Sequence, residues 1–245
     1  MVYNTLIFVF ALFVSYIIGS IPFGLVVVRI GTGRDVLSVG SGRTGGTNAM
    51  RAGGFIAGLI TALLDVAKGA STIAICLWLM PDNLLLQVLT PIMVILGHNY
   101  SIFLPERNEK GKIRLRGGAG GASALGGAIA LWPPAFFIIF PLAVLVFVFV
   151  GYASITTMSI AFFATLLLIY RAATGASPWI YVLYGVIAEL LLLWALRPNI
   201  KRLKEGNERS VGLRAYLEKR NEKNPGSKNK KLQVKLLFQK SGENI

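Results

Sequence analysis

GAGGASALGGAIALWPPAFFIIFPLAVLVFVFVGYASITTMSIAFFATLLLIYRAATGASPWIYVLYGVIAELLLLWAL, residues 118–196, carries two charged side chains, Arg171 and Glu189. About 20 consecutive apolar residues suffice to cross the hydrocarbon of a bilayer. This one stretch holds several such lengths, divided at Pro133-Pro134, where proline cannot continue a helix, and at the turn Gly151-Tyr152. The rest of the chain has the same character. Of its 245 residues 54% are hydrophobic and 15% charged, with a mean hydropathy of +0.64, too apolar for an ordinary soluble domain. Seven apolar segments can be drawn, at residues 4–28, 53–79, 84–98, 119–131, 134–150, 152–171 and 178–196. The first contains Gly19-Ser20-Ile21-Pro22, a helix break. The third and fourth are short, as a re-entrant or broken helix would be, so counts of six and seven spans are both open and seven is preferred. The N-terminal segment has no Lys or Arg before Arg29 and no clear cleavage site, so it reads as an uncleaved first span. The fold expected is all-α: a polytopic integral membrane protein of about seven transmembrane helices.

Charge distribution orients that bundle. With seven spans, residues 29–52, 99–118 and 197–245 share one side, and they hold four, five and fourteen Lys or Arg, 23 of the 25 in the chain. The positive-inside rule makes this side cytoplasmic, with the N-terminus outside and the C-terminus inside. The same arrangement accounts for the net charge of +14 without nucleic acid, because the basic residues flank apolar segments. A single cysteine, Cys76, excludes a disulfide framework within the chain. A membrane domain at 1–212 and a basic, flexible cytoplasmic tail at 213–245 are expected, the tail suited to resting on anionic lipid.

The polar motifs fall on the cytoplasmic side. Residues 40–51 run Gly-Ser-Gly-Arg-Thr-Gly-Gly-Thr-Asn-Ala-Met-Arg and precede an apolar helix. Glycines admit backbone N–H groups close to an anion, a helix N-terminus adds its positive end, and Arg51 can grip a phosphate through two parallel bonds. Gly40, Gly42 and Gly45 also satisfy GxGxxG, but no strand precedes them, so a dinucleotide fold is not read. Within the second span, Asp65 and Lys68 lie one helical turn apart, where they can pair with each other or serve a site. His98, the only histidine, ends the third segment. After a charged insert comes Arg116-Gly117-Gly118-Ala119-Gly120-Gly121, which fits an anion cradle or close helix packing. Residues 197–208, Arg-Pro-Asn-Ile-Lys-Arg-Leu-Lys-Glu-Gly-Asn-Glu, follow the last span. No Ser/His/Asp or Cys/His arrangement points to a covalent intermediate.

Taken in order, these motifs resemble the bacterial acyl-phosphate:glycerol-3-phosphate acyltransferase family, PlsY, over residues 7–210. Gly19 to Gly24 is similar to its first-span motif and Gly40 to Arg51 to its GSGNxGxTNxxR loop. Asp65 with Lys68-Gly69 is similar to DxxKG, Gly97-His98 through Gly118 to its GHxFxxFLxFKGGKG stretch, and Asn199 to Glu208 to NIxRLxxGxE. The resemblance implies transfer of an acyl group from acyl-phosphate to the 1-hydroxyl of glycerol-3-phosphate, a step of phospholipid biosynthesis in the bacterial plasma membrane, with no metal or other cofactor. It implies Ser41, Arg51 and Asn199 as catalytic. It also implies that Gly40, Gly42, Arg43, Thr47, Asn48, Lys68, His98, Arg116, Gly117 and Gly118 surround the substrate phosphates. The sequence departs from the family pattern in four places. The GGKG lysine is Ala119, the GSGN asparagine is Arg43, the histidine before NIxRL is absent, and residues 105–114 are inserted. Arg43, Arg116 and Lys112 are the candidates to replace the missing cation. A relative with another acceptor or donor, and a non-catalytic lipid-phosphate-binding protein, are the alternative readings.

Overall fold

The computed structural model describes residues 2–107 and 111–223. In order come α1 (Val2–Ser20), α2 (Phe23–Thr32), α3 (Gly46–Ala70), α4 (Thr72–Leu79), α5 (Leu84–Asn99), α6 (Gly121–Leu131), α7 (Ala135–Leu145), α8 (Ala153–Ala173), α9 (Ile180–Ala195), α10 (Arg197–Lys204) and α11 (Gly212–Lys223). Apolar chain becomes helix because helix bonds every backbone polar group internally, and each of the seven apolar segments of the sequence is largely helical, apart from segment ends and the break in the first. Three stretches are long and apolar enough to cross a membrane: Val2–Thr32, Gly46–Leu79 and Ala153–Ala173. A fourth follows if α9 and α10, bent by 65°, are taken together. The insert forms a small antiparallel hairpin, β1 (Pro105–Arg107) and β2 (Ile113–Leu115), an exception to the all-α expectation.

Two breaks shape the polar side of the bundle. The first is the expected one at Ile21-Pro22, between α1 and α2. A broken helix leaves carbonyls without helical partners, and in hydrocarbon these must be satisfied by side chains. Lys68 Nζ donates to Gly19 O at 3.1 Å and Ile21 O at 3.2 Å, and Ser101 Oγ donates to Ser20 O. The second break, at Gly54, has φ 86° and ψ 177°, a conformation open in practice only to glycine. There the 46–53 segment of α3 turns back beside the rest of the helix. A Cβ added to Gly46 would lie 3.0 Å from Gly58 O and 3.1 Å from Ala62 Cβ. The segment carrying Thr47, Asn48 and Arg51 is thereby held at the mouth of the bundle.

α6 sits centrally, packed on α3, α5, α7, α8 and α9. Small residues allow the crossings: Gly69 of α3 meets Gly126 of α6, and Gly19 of α1 meets Val94 of α5. The largest buried cluster joins Ile95, Leu125, Ile139, Leu168, Tyr184 and Leu192. At the end of the bundle that carries the polar motifs, the chain after α10 returns to the α7–α8 turn, with Val211 N donating to Gly151 O at 2.9 Å. The stretch read as a tail begins inside α11, which packs on residues 146–150, and residues 224–245 lie outside the described ones.

Candidate active site

A cavity of about 430 Å³ opens among α3, α6, α7, α8 and α10. Its polar end is lined by Ser41, Arg43, Thr47, Asn48, Arg51, Asp65, His98, Ser154, Asn199 and Glu208. Two helix N-termini reach this end, that of α3 through Gly45, Gly46 and Thr47 and that of α6 through Gly120 and Gly121. Each brings unpaired N–H groups and a partial positive charge, a setting that favours an anion. The apolar end is lined by Phe55, Leu59, Leu63, Val66, Leu125, Phe136, Phe140, Val144, Phe147 and Ile160. One cavity therefore offers an anion-binding head and a hydrocarbon-compatible body.

The 40–48 loop is held by Asn48. Its side-chain oxygen accepts from Ser41 N at 3.1 Å, and its NH₂ group lies 2.9 Å from Val36 O, 2.9 Å from Val39 O and 2.8 Å from Arg43 O. Gly40 packs on the Asn48 amide and has φ +56°, and Gly42 has φ +66°. Asn48 thus fixes where Ser41 and Arg43 point while its own polar atoms are turned to the loop. Asn48→Ala should leave buried groups unpaired at about 1–3 kcal/mol each. A drop of about 2–4 kcal/mol in unfolding free energy, with activity lost in parallel, is expected. Thermal unfolding in detergent measures it, and an unchanged midpoint would contradict the role.

Beside this loop lies a buried ionic cluster. Lys68 Nζ is 2.9 Å from Asp65 Oδ1 and 2.8 Å from His98 Nδ1. An ammonium can only donate, so His98 Nδ1 accepts and the ring proton resides on Nε2, which packs against Gly118. Lys68 has four acceptors for three protons, counting Gly19 O and Ile21 O, and it does not line the cavity. Asp65 and His98 do line it, and Asp65 Oδ2 is buried without a hydrogen-bond partner among the described residues.

At the opposite wall, the 65° bend after α9 brings Asn199 onto the cavity. Asn199 Nδ2 donates to Glu208 Oε1 at 2.8 Å, and Arg202 Nε donates to Glu208 Oε2 at 2.9 Å. Ser154 Oγ lies 3.4 Å from Glu208 Oε1. The Asn199 oxygen, buried, has no partner among the described residues.

The cations divide into two groups. Arg43 and Arg51 line the cavity. Arg43 donates to Gly118 O at 3.2 Å and to Ala195 O, which sets its guanidinium next to Ala119. Burial, and then the nearby Arg202, hold the Arg43 guanidinium below its ordinary pKa, although an arginine stays charged. Arg116 is directed elsewhere: to Glu106 at 3.0 Å, Gly42 O at 2.9 Å and Leu37 O at 3.4 Å. Lys112 is exposed, just before β2, and is not on the cavity wall. Of the sequence-derived site, Ser41, Arg43, Thr47, Asn48, Arg51, His98 and Asn199 converge on the cavity. Gly40, Gly42, Lys68, Arg116, Gly117 and Gly118 stand behind its wall. Sequence reasoning did not single out Ser154, for which there is no motif signal. Glu208 falls within a motif that assigns it no role, and the sequence leaves Asp65 open between pairing with Lys68 and serving a site.

The family model described as Glycerol-3-phosphate acyltransferase matches residues 9–206. This chain belongs to the glycerol-3-phosphate acyltransferase family. Glycerol-3-phosphate acyltransferase 2 of Moorella thermoacetica is 38% identical over 205 residues, covering 84% of this chain and 98% of that one. Glycerol-3-phosphate acyltransferase of Thermus thermophilus is 36% identical over 207 residues, covering 84% of this chain and 96% of that one. A crystal structure of PlsY (YgiH), described as an integral membrane glycerol 3-phosphate acyltransferase in its glycerol 3-phosphate form, superposes with a TM-score of 0.72. It is 28% identical and covers 86% of this chain and 98% of that one. As an acyltransferase family member, the chain combines membrane-compatible helices with the polar cavity described above.

Proposed function

We propose that the protein transfers an acyl group from acyl-phosphate to the 1-hydroxyl of glycerol-3-phosphate, releasing lysophosphatidic acid and inorganic phosphate. The observation that carries this reading is the single cavity joining Arg43, Arg51 and two helix N-termini to an apolar body, in a member of this family. Both proposed substrates carry phosphate, and the donor carries a long hydrocarbon chain. The seven helical segments then act as seven spans of the bacterial plasma membrane, with the N-terminus outside and the motif loops cytoplasmic.

An acyl-phosphate is a mixed anhydride, so little activation is required beyond positioning and charge neutralisation. The acceptor hydroxyl oxygen attacks the carbonyl carbon, the carbon–oxygen bond to phosphate breaks, and the hydroxyl proton passes to a substrate phosphate. Arg51 and Ser41 hold the acceptor phosphate, with Thr47 and the α3 N-terminus adding donors. The open Asn199 oxygen accepts from the attacking hydroxyl, oriented by its Nδ2 bond to Glu208. Arg43 and the α6 N-terminus stabilise the departing phosphate, taking the position the family gives to the GGKG lysine. The Asp65–Lys68–His98 cluster fixes the α1–α2 break and the glycine turn at Gly118 from behind.

The donor is tested by offering purified protein palmitoyl-phosphate or a palmitoyl thioester at equal concentration, with labelled glycerol-3-phosphate. Product from the acyl-phosphate alone is expected, with no acyl group bound covalently to protein. Product from the thioester would overturn the donor assignment, and a stable acyl-protein would overturn direct transfer.

A further inference from the structure

The family-matched stretch ends at residue 206, and the chain just beyond it returns to the site. α10 closes at Gly206, whose φ of +73° lets Asn207 N donate back to Arg202 O at 2.8 Å. The residues that follow are held on both sides of Arg209. Before it, Glu208 is bound through both carboxylate oxygens, by Asn199 and by Arg202. After it, Ser210 bridges to Tyr152 and Val211 N donates to Gly151 O at 2.9 Å. The backbone of Arg209 is therefore fixed, although its side chain is exposed. That side chain reaches across to the 40–48 loop. A Cβ built on Gly40 would lie 3.4 Å from Arg209 Nη1 and 3.3 Å from Arg51 Cδ. Gly40, which has φ +56° and no side chain, is thus the floor over which two arginines from distant parts of the chain meet.

Like charges brought together repel, so a convergence of two guanidinium side chains calls for a counterion. The chain does not supply one. Among the described residues, neither Arg51 nor Arg209 has a side-chain hydrogen bond or ion pair. Glu208, the carboxylate next to Arg209 in sequence, is committed to Asn199 and Arg202. The pair stands beside Ser41, and Arg51 lines the polar end of the cavity. An anion of more than one charge fits there. A phosphate monoester, with a second pKa of about 6, carries nearly two negative charges at neutral pH. Its terminal oxygens can accept from two guanidinium forks at once. We propose that Arg209 is a specificity-determining residue for the acceptor, the second guanidinium on the glycerol-3-phosphate phosphate, which it holds together with Arg51 at the Gly40–Ser41 corner. The proposal rests on the acceptor reading above. Two guanidiniums favour a doubly charged monoester over singly charged phosphodiesters, the form of phosphate that phospholipid headgroups present on the same membrane face.

Equilibrium binding of glycerol-3-phosphate to the full chain in nanodiscs, without donor, tests this. Arg209→Gln is compared with Lys201→Gln, which removes the same charge from α10, where Lys201 is 78% exposed and pairs with Glu205. The expected result is a Kd raised about tenfold in Arg209→Gln and less than twofold in Lys201→Gln. The tenfold ratio should largely persist in 0.3 M salt, where the Debye length falls to roughly 5–6 Å and only a direct contact survives. In steady-state assays, KM for glycerol-3-phosphate should rise in parallel, while kcat and KM for palmitoyl-phosphate change less than twofold. A Kd change under threefold in Arg209→Gln would overturn the proposal. So would an equal change in Lys201→Gln, or a ratio that collapses in salt, since either would show a general field and not a contact. Wild-type protein that binds glycerol-3-phosphate but forms no product would count against the acyl-transfer reading and leave the Arg209 comparison standing. Wild-type protein that does not bind it would overturn both. The unfolding midpoint of Arg209→Gln should match wild type, and if it falls, Arg209→Met, which keeps the apolar stem, takes its place under the same criteria.

Discussion

Replacing Arg43 by alanine is expected to lower kcat/KM for acyl transfer by about 10²- to 10³-fold, the usual cost of removing a donor aimed at developing charge. Ala119, at the position where the resemblance puts the GGKG lysine, lines the cavity and supplies no charge. Arg43 reaches toward that position from the 40–48 loop, fixed by its bonds to Gly118 O and Ala195 O. Arg43→Lys should retain part of the rate, because a lysine keeps charge but loses the planar fork. Introducing Ala119→Lys into the Arg43→Ala protein should recover at least tenfold. Arg116→Ala provides the contrast. Its ion pair with Glu106 is exposed and contributes about 0–1 kcal/mol, so a change within about fivefold is expected. Full activity in Arg43→Ala, or a larger loss in Arg116→Ala, would show that the cation comes from elsewhere. Steady-state kinetics on reconstituted protein measures all four.

The second large effect is on folding. Lys68→Met removes one partner of a buried pair whose side chains are 2% and 1% exposed, and it orphans Gly19 O and Ile21 O at the α1–α2 break. Breaking such a pair from one side costs about 3–5 kcal/mol, because an uncompensated charge stays buried. A correspondingly lower unfolding midpoint is expected by thermal or denaturant unfolding in detergent. The double variant Asp65→Asn with Lys68→Met should recover part of the loss, since the uncompensated carboxylate is gone. Wild-type stability in Lys68→Met, together with loss of substrate affinity, would move Lys68 from the scaffold into the binding site.

These two residues illustrate what the sequence could and could not reveal. Hydropathy exposed the helical segments because long uncharged runs have few other uses, and proline and glycine marked the breaks at Pro22, Pro133-Pro134 and Gly151. The fold-back at Gly54 was invisible, since one glycine among 27 carries no sign of its φ. The β1–β2 hairpin and α11 were likewise unmarked by any strong pattern. At the site, the polar loops were legible because Ser, Arg and Asn among glycines need either ligands or backbone partners. Which of the two each residue takes was not legible. The resemblance puts Asn48 and Lys68 around the substrate phosphates, and the fold also engages both with the chain's own carbonyls. Arg43 and Arg116 looked equivalent as replacement cations, and only their neighbours in space distinguish them. The apolar half of the cavity had no signal at all, because Phe55, Leu59 and Phe140 read like any lipid-facing residues.

The central claim is catalytic, and product formation tests it most directly. Purified wild-type protein in lipid is given palmitoyl-phosphate and labelled glycerol-3-phosphate, and labelled lysophosphatidic acid and free phosphate are quantified over time. The expected result is equal amounts of the two products, with Arg51→Ala strongly reduced in both. Phosphate release without labelled lysophosphatidic acid, or no product from either substrate, would contradict the account.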